Sequence, residues 1–326
     1  MAATNGPSAD GATSLSTDPG PPAPATESNP TRGASTGRLG DKIFSGLSIG
    51  SGALIAVTLA LVAIFLLMEA WPALKQASEI GDEGFWMLAA NLLGGTLLAS
   101  AIAMVIAVPV AVGIALFISH YAPPRLSKSI AFVIDLLAAI PSVIFGLWGY
   151  LTFAPFLVPL FEWLEDNLGF IPLFEDASRT GRVLLTASIV LAIMILPIIT
   201  SLIREVFLQT PRLHEEASLA LGATRWEMIT QAVIPFGKSG VISGAMLGLG
   251  RALGETMALL LIISTAGPMN FNLMESGETF ATKIANNAAE FDSPAKTGAY
   301  ISAGLTLFVL TFIVNAAARA VVAGKK

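Results

Sequence analysis

Glu216-Ala217-Ser218-Leu219-Ala220-Leu221-Gly222, completed downstream by Ile234-Pro235, lies between two apolar runs, Val183 to Ile203 and Ser239 to Ile263, each long enough to cross a membrane. A helix rises 1.5 Å per residue, so about 20 apolar residues cover the roughly 30 Å of hydrocarbon in a bilayer. The intervening loop, about 204–238, carries the marks of a short helix of its own. Thr210-Pro211 is a helix start, and Glu215 and Glu216 fall in the first turn, where the helix dipole favours acids. Leu213, Ala217, Ala220 and Leu221 recur at helical spacing, and Gly222 fits a C-terminal stop. The small residues Ala217, Ser218 and Ala220 would let this helix seat closely in a groove of a partner. A helix lying in the membrane interface and joining two spans is the other reading.

Outward from this loop, four more runs qualify as spans: Gly46 to Met68, Leu92 to Ser119, Ile130 to Phe153 and Gly298 to Val322. The third span of the six carries Pro141 and Gly146, with Pro155 and Pro159 just beyond, and reads as a kinked helix followed by a re-entrant or interfacial piece. Composition agrees: 54% of residues are hydrophobic and 13% charged, against roughly 25% charged in a soluble domain. The mean hydropathy is +0.73. The expected class is therefore all-α, a polytopic membrane protein of about six spans. With no cysteine, the chain can build neither a disulfide framework nor a thiolate metal site.

Residues 1–38 are rich in Ala, Ser, Thr, Pro and Gly, and too poor in large apolar side chains to offset the entropy of ordering. They read as a disordered tail without the apolar core of a secretory signal, ahead of a membrane domain over 39–326. Basic residues set the orientation. With the N-terminus inside, twelve fall in inner segments, from Arg32 to Lys326, against five outside: Lys75, Arg179, Arg182, Lys283 and Lys296. Both termini and the 204–238 loop are thus expected on the cytoplasmic side, and most acids outside.

The remaining basic residue, Arg251, lies within a span, four residues before Glu255. Ionised groups at mid-span cost on the order of 3 kcal/mol on insertion scales, which implies a use. The spacing puts both on one helix face, where they can pair. A guanidinium offers a fork of donors suited to an oxyanion, and a carboxylate beside it can accept a hydrogen that the anion still carries. The alternative is a structural ion pair satisfying itself within the bundle. Gly240, Gly244 and Gly248 form one small-residue face and Gly250 with Gly254 another, both read as helix contacts, for example with an equivalent helix of a second subunit. Asp135, near the Pro141-Ser142 kink, and Ser142 itself could border a polar pathway; Asp135 could equally cap a neighbouring helix or lie at the inner interface.

Other chemistries find little support. Gly237-Lys238-Ser239 imitates the end of a phosphate-cradling loop, but Ala232 stands at its leading glycine position and Pro235 interrupts it. His120 and His214 lack a nearby metal-ligand set and read as surface histidines. No Ser, His and acid converge in a catalytic order. The chain is expected to hold no catalytic residue, metal or cofactor.

The stretch from Glu216 to Pro235 resembles the cytoplasmic EAA loop of the permeases of ABC importers. Its spacing is kept, with Ser218 for the second Ala, Ala232 for Ile and Ile234 for Leu. Gly248-Leu249-Gly250-Arg251-Ala252-Leu253-Gly254-Glu255-Thr256-Met257-Ala258, with 108–115 and 139–146, is similar to the PstC-type permease family of bacterial phosphate importers, over a region from about Gly46 to the C-terminus. The resemblance implies a MetI-like fold in the bacterial plasma membrane, paired with a PstA-like second permease. It further implies two PstB-like ATP-binding subunits using ATP and Mg, and a PstS-like extracytoplasmic phosphate-binding protein. Glu215, Glu216, Ala217, Ser218, Ala220, Gly222 and Pro235 would couple to the ATPase, and Arg251 and Glu255 would meet the substrate. Sulfate or molybdate importers and ATP-independent anion transporters or channels are the competing functions.

Overall fold

The computed structural model describes residues 37–75, 84–171, 173–176, 178–263, 272–275, 277–288 and 294–323. Nearly all of the N-terminal tail, and the tips of the first and last expected outer loops, lie outside them. Among the described residues the chain is helical: α1 (Gly37–Lys75), α2 (Gly84–Leu116), α3 (Pro124–Ala138), α4 (Ser142–Trp148), α5 (Ala154–Leu168), α6 (Leu184–Leu208), α7 (Arg212–Ala220), α8 (Arg225–Met228), α9 (Ile234–Leu253), α10 (Met257–Ile262), α11 (Phe280–Asn286) and α12 (Pro294–Ala323). Three π-helical turns, Phe117–Tyr121, Gly149–Phe153 and Ile229–Val233, join consecutive pieces. Six helical stretches are long and apolar enough to span a membrane: Gly40–Trp71, Trp86–Tyr121, Ser142–Leu168, Leu184–Leu208, Arg225–Leu253 and Thr297–Ala317. This is a multi-pass membrane protein, as expected, because a helix satisfies its own backbone where no water can.

The chain forms two compact units, Met1–Thr58 and Leu59–Lys326. In the first, the described part is the opening of α1, whose Ser51 and Thr58 hydroxyls donate to carbonyls one turn back. The second is built round α6. Two-thirds of its membrane window is buried, and Ile195, Ile199, Ile203 and Phe207 are fully enclosed. Along α2, Ala99, Ala103, Ala107, Ala111 and Ala115 recur every four residues, all 0–1% exposed. Helices in lipid gain little from hydrophobicity alone, and small residues let their backbones approach closely.

α9 also packs on α6: its Gly237, Gly240, Gly244 and Gly248 positions face Phe207, Val206, Ile203 and Ile199. The helix contact expected of this glycine face is thus made with α6 of the same chain. Gly250 has open space around it and Gly254 nearly so.

The third span is displaced. Residues 124–138 form α3, a separate amphipathic helix too short to cross, and the spanning run starts after Pro141 at Ser142. Proline disfavours the helical region for the residue before it, so Pro141 ends the first helix and leads into the second instead of kinking one span. The fifth span also differs: it begins at Arg225 and stops at Leu253, followed by a break at Gly254–Thr256 and the short α10.

Candidate functional site

Two helix breaks come together in the membrane domain. At Gly254–Thr256 the chain leaves α9 and re-enters as α10; at 139–141 it leaves α3 and re-enters as α4. α10 packs against α4 and α6. Gly146 and Gly149 make the α4 contact possible, for a Cβ on Gly149 would stand 2.7 Å from the Ile262 side-chain tip, and one on Gly146 equally close to backbone, at the Ala258 Cα. The two short helices begin at Ser142 and Met257, and Ser142 is half-buried.

Arg251 lies in the last turn of α9, where a cation offsets the negative helix end, and is exposed. Ser243, Leu247, Arg251 and Gly254 continue one exposed stripe of this helix. Glu255 lies inside the break and is only 8% exposed. Its Oε1 accepts the Ala258 N–H at 3.2 Å, tying off a free amide at the start of α10. Among the described residues no ion pair joins Arg251 to Glu255. The expected pairing assumed a continuous helix, and the break turns the two charges to different tasks. The signal lay in Gly254 and Thr256, a glycine stop and a threonine start flanking the acid.

Asp135 is exposed near the end of α3. Arg182, at the mouth of α6, places its guanidinium 4.8 Å over the Tyr150 ring and donates from Nε to the Ile262 carbonyl at 3.4 Å, so it holds the end of α10.

The second site is the loop after α6. Pro211 precedes α7 in an extended conformation, and Gly222, at φ +88°, ends it. Ala223 then donates to the Ser218 carbonyl at 3.2 Å. Thr224 and Glu227 form a reciprocal capping box that starts α8, and the chain runs on through the 229–233 π turn into α9, with Pro235 at its opening. Pro235 has no N–H to return to the preceding turn, and there the helix is π-wound.

α7 buries none of its residues. Its apolar positions were read correctly as helical, yet they face outward: Leu213 is 77% exposed and Leu221 91%. Ala217, Ala220 and Glu216 are exposed as well, whereas Glu215 and Ser218 turn inward. Between α7 and the start of α9 lies a groove of about 720 Å³, lined by Thr210, His214, Ser218, Gly222, Glu227 and Pro235 among others. The buried hydroxyl oxygens of Thr210 and Ser218 find no hydrogen-bond partner among the described residues.

His214 is exposed, as expected, but His120 is not a surface histidine. Its side chain is 8% exposed, and Nε2 lies 3.4 Å from the Glu215 carboxylate.

Comparison with known proteins agrees with this architecture. Residues 107–326 match the family described as the binding-protein-dependent transport system inner membrane component. The chain belongs to that family. Within it, its relatives include phosphate transport system permease proteins: PstC 2 of Mycobacterium tuberculosis is 50% identical across 88% of this chain and 93% of its own length, and PstC of Mycobacterium leprae 48% across 81% and 87%. PstC of Mesorhizobium japonicum is 37% identical across 86% and 89%. The chain is accordingly a PstC-type permease subunit. Among solved structures, a bacterial ABC transporter involved in the import of alginate shares the fold, with a TM-score of 0.56 at 17% identity over 86% of this chain and 97% of that one. The MetNI methionine ABC transporter gives 0.52 at 16% over 75% and 99%.

Proposed function

We propose that this chain conducts inorganic phosphate through the bacterial plasma membrane as one of two permeases in an ATP-driven importer. The observation that carries the reading is Arg251: a guanidinium exposed on the open face of α9, beside a helix break, in a chain 50% identical to permeases named for phosphate transport. A PstA-like permease lies against the Ser243 to Gly254 stripe and closes a pathway that one chain alone leaves open. Arg251 is the principal anion contact. Glu255 keeps Oε1 on the Ala258 amide and offers its other oxygen to a hydrogen of the phosphate. Ser142 and Asp135 border the route at the second break.

The termini and α7 face the cytoplasm. Two PstB-like subunits bind ATP with Mg and engage the outward face of α7, while a PstS-like protein delivers phosphate from outside. This chain holds no cofactor. ATP binding draws α7 with the closing ATPases and opens the spans outward; hydrolysis returns them inward. The expected acidic outer loops repel free anions, which suits handover from a docked carrier. The test is labelled-phosphate uptake by the reconstituted four-component system. Uptake requiring ATP, blocked by excess unlabelled phosphate and untouched by sulfate, is the expected result. Uptake blocked by sulfate would move the assignment to another oxyanion, and uptake without ATP would remove it from this class.

A further inference from the structure

We propose that His120 is a positioning residue that carries the motion of α7 into the second span. The inference rests on α7 being the contact for the ATPase subunits, but not on which anion is moved. α7 has nine residues and no buried side chain, so neither intrinsic helix stability nor packing fixes it. It leans on α8 and on the 229–233 π turn, both of which lead into α9. Its one side-chain hydrogen bond among the described residues, Glu215 to His120, crosses to another part of the chain.

His120 occupies the π turn Phe117–Tyr121 that ends the second span. Both of its ring nitrogens are engaged, Nδ1 with the Ser119 hydroxyl at 2.6 Å and Nε2 with Glu215. The Ser119 hydroxyl oxygen also lies 2.8 Å from the Ala115 carbonyl oxygen, and Ala115 is the last of the five buried alanines against α6. A pull on Glu215 is therefore passed through His120 and Ser119 to the buried alanine face that α2 packs against α6. Without this link, α7 drives α9 alone. The π winding suits the task, since such turns depart from regular helix packing and are frequent at functional sites.

The complete complex in proteoliposomes tests the proposal through ATP hydrolysis and its stimulation by phosphate-loaded binding protein. His120→Ala is expected to keep the ATPase subunits at parental stoichiometry and unstimulated hydrolysis within about twofold, while stimulation falls about tenfold, within the range for residues that carry coupling between sites. His120→Gln, whose amide nitrogen takes the place of Nε2, is expected to retain most of the stimulation; His120→Asn, which reaches only the Nδ1 position, is not. Glu215→Gln in the His120→Ala background is expected to add nothing, as for two members of one contact. Stimulation unchanged in His120→Ala overturns the proposal, as does loss of the ATPase subunits from that variant, which would make the contact part of docking. A parent complex that captures no ATPase overturns it together with the reading of α7. Stimulation that depends on His120 without phosphate entry upholds it and refutes phosphate as the cargo.

Discussion

Gly146 and Ala258 meet almost backbone to backbone: a Cβ on Gly146 would lie 2.7 Å from the Ala258 Cα and 3.1 Å from its carbonyl oxygen. This approach anchors α10, and with it the amide that Glu255 ties off, to the start of the third span. The closest contact of an added methyl is with backbone, which cannot swing aside as the Leu261 tip can, so Gly146→Ala is expected to cost about 1–3 kcal/mol through overpacking. Thermal unfolding of the purified complex checks this. Gly149→Ala, whose nearest neighbours are the Ile262 and Val190 side chains, is expected to be milder.

Glu255 ties off the Ala258 amide and, in the proposed pathway, meets the phosphate; two substitutions separate these roles. Glu255→Ala leaves the Ala258 N–H without its acceptor inside a buried site, at a cost of about 1–3 kcal/mol. Glu255→Gln keeps an oxygen for that amide and is expected to preserve stability while abolishing phosphate uptake. Normal uptake by Glu255→Gln would return Glu255 to capping alone.

Gly222 at φ +88° has open space around it, so the cost of a side chain there is conformational. Gly222→Ala is expected to add about 1–3 kcal/mol of backbone strain at the end of α7 and to weaken capture of the ATPase subunits. Gly222→Asn, which tolerates this region better, is expected to retain most of it. Co-purification at equal membrane levels reads the difference.

The two glycine faces of α9 predict opposite outcomes. A Cβ at Gly240 would meet both Val206 methyls at 2.5 Å, and a β-branched side chain has little room to turn away. Gly240→Ala is expected to lower the yield of folded protein. Gly250→Ala meets nothing among the described residues and is expected to leave stability unharmed. A drop in co-purified second permease would then place the partner on this face.

What the sequence disclosed depended on range. α7 was legible almost to the residue, because Pro211 and Gly222 are local signals that act within one turn. The outlines of most spans were legible, because apolar length is a property of the segment itself. The third span was misplaced because hydrophobicity continues across Pro141, and only backbone geometry distinguishes a kink from a restart. At the site, Arg251 and Glu255 were singled out by the expense of charge in a membrane, but their separation by a break was hidden within an apolar average. His120 could not be found, since Glu215 lies 95 positions away and no spacing rule links them.

In the proposed pathway Arg251 is the anion contact on the open face of α9. Labelled-phosphate uptake at low external phosphate is measured for the parent, Arg251→Gln and Arg251→Lys, each assembled with its partners at equal membrane levels. A charge-assisted bond to the anion predicts a loss of at least about tenfold in Arg251→Gln and partial recovery in Arg251→Lys, which keeps charge without the fork. Undiminished uptake by Arg251→Gln in an intact complex would contradict a pathway through this guanidinium.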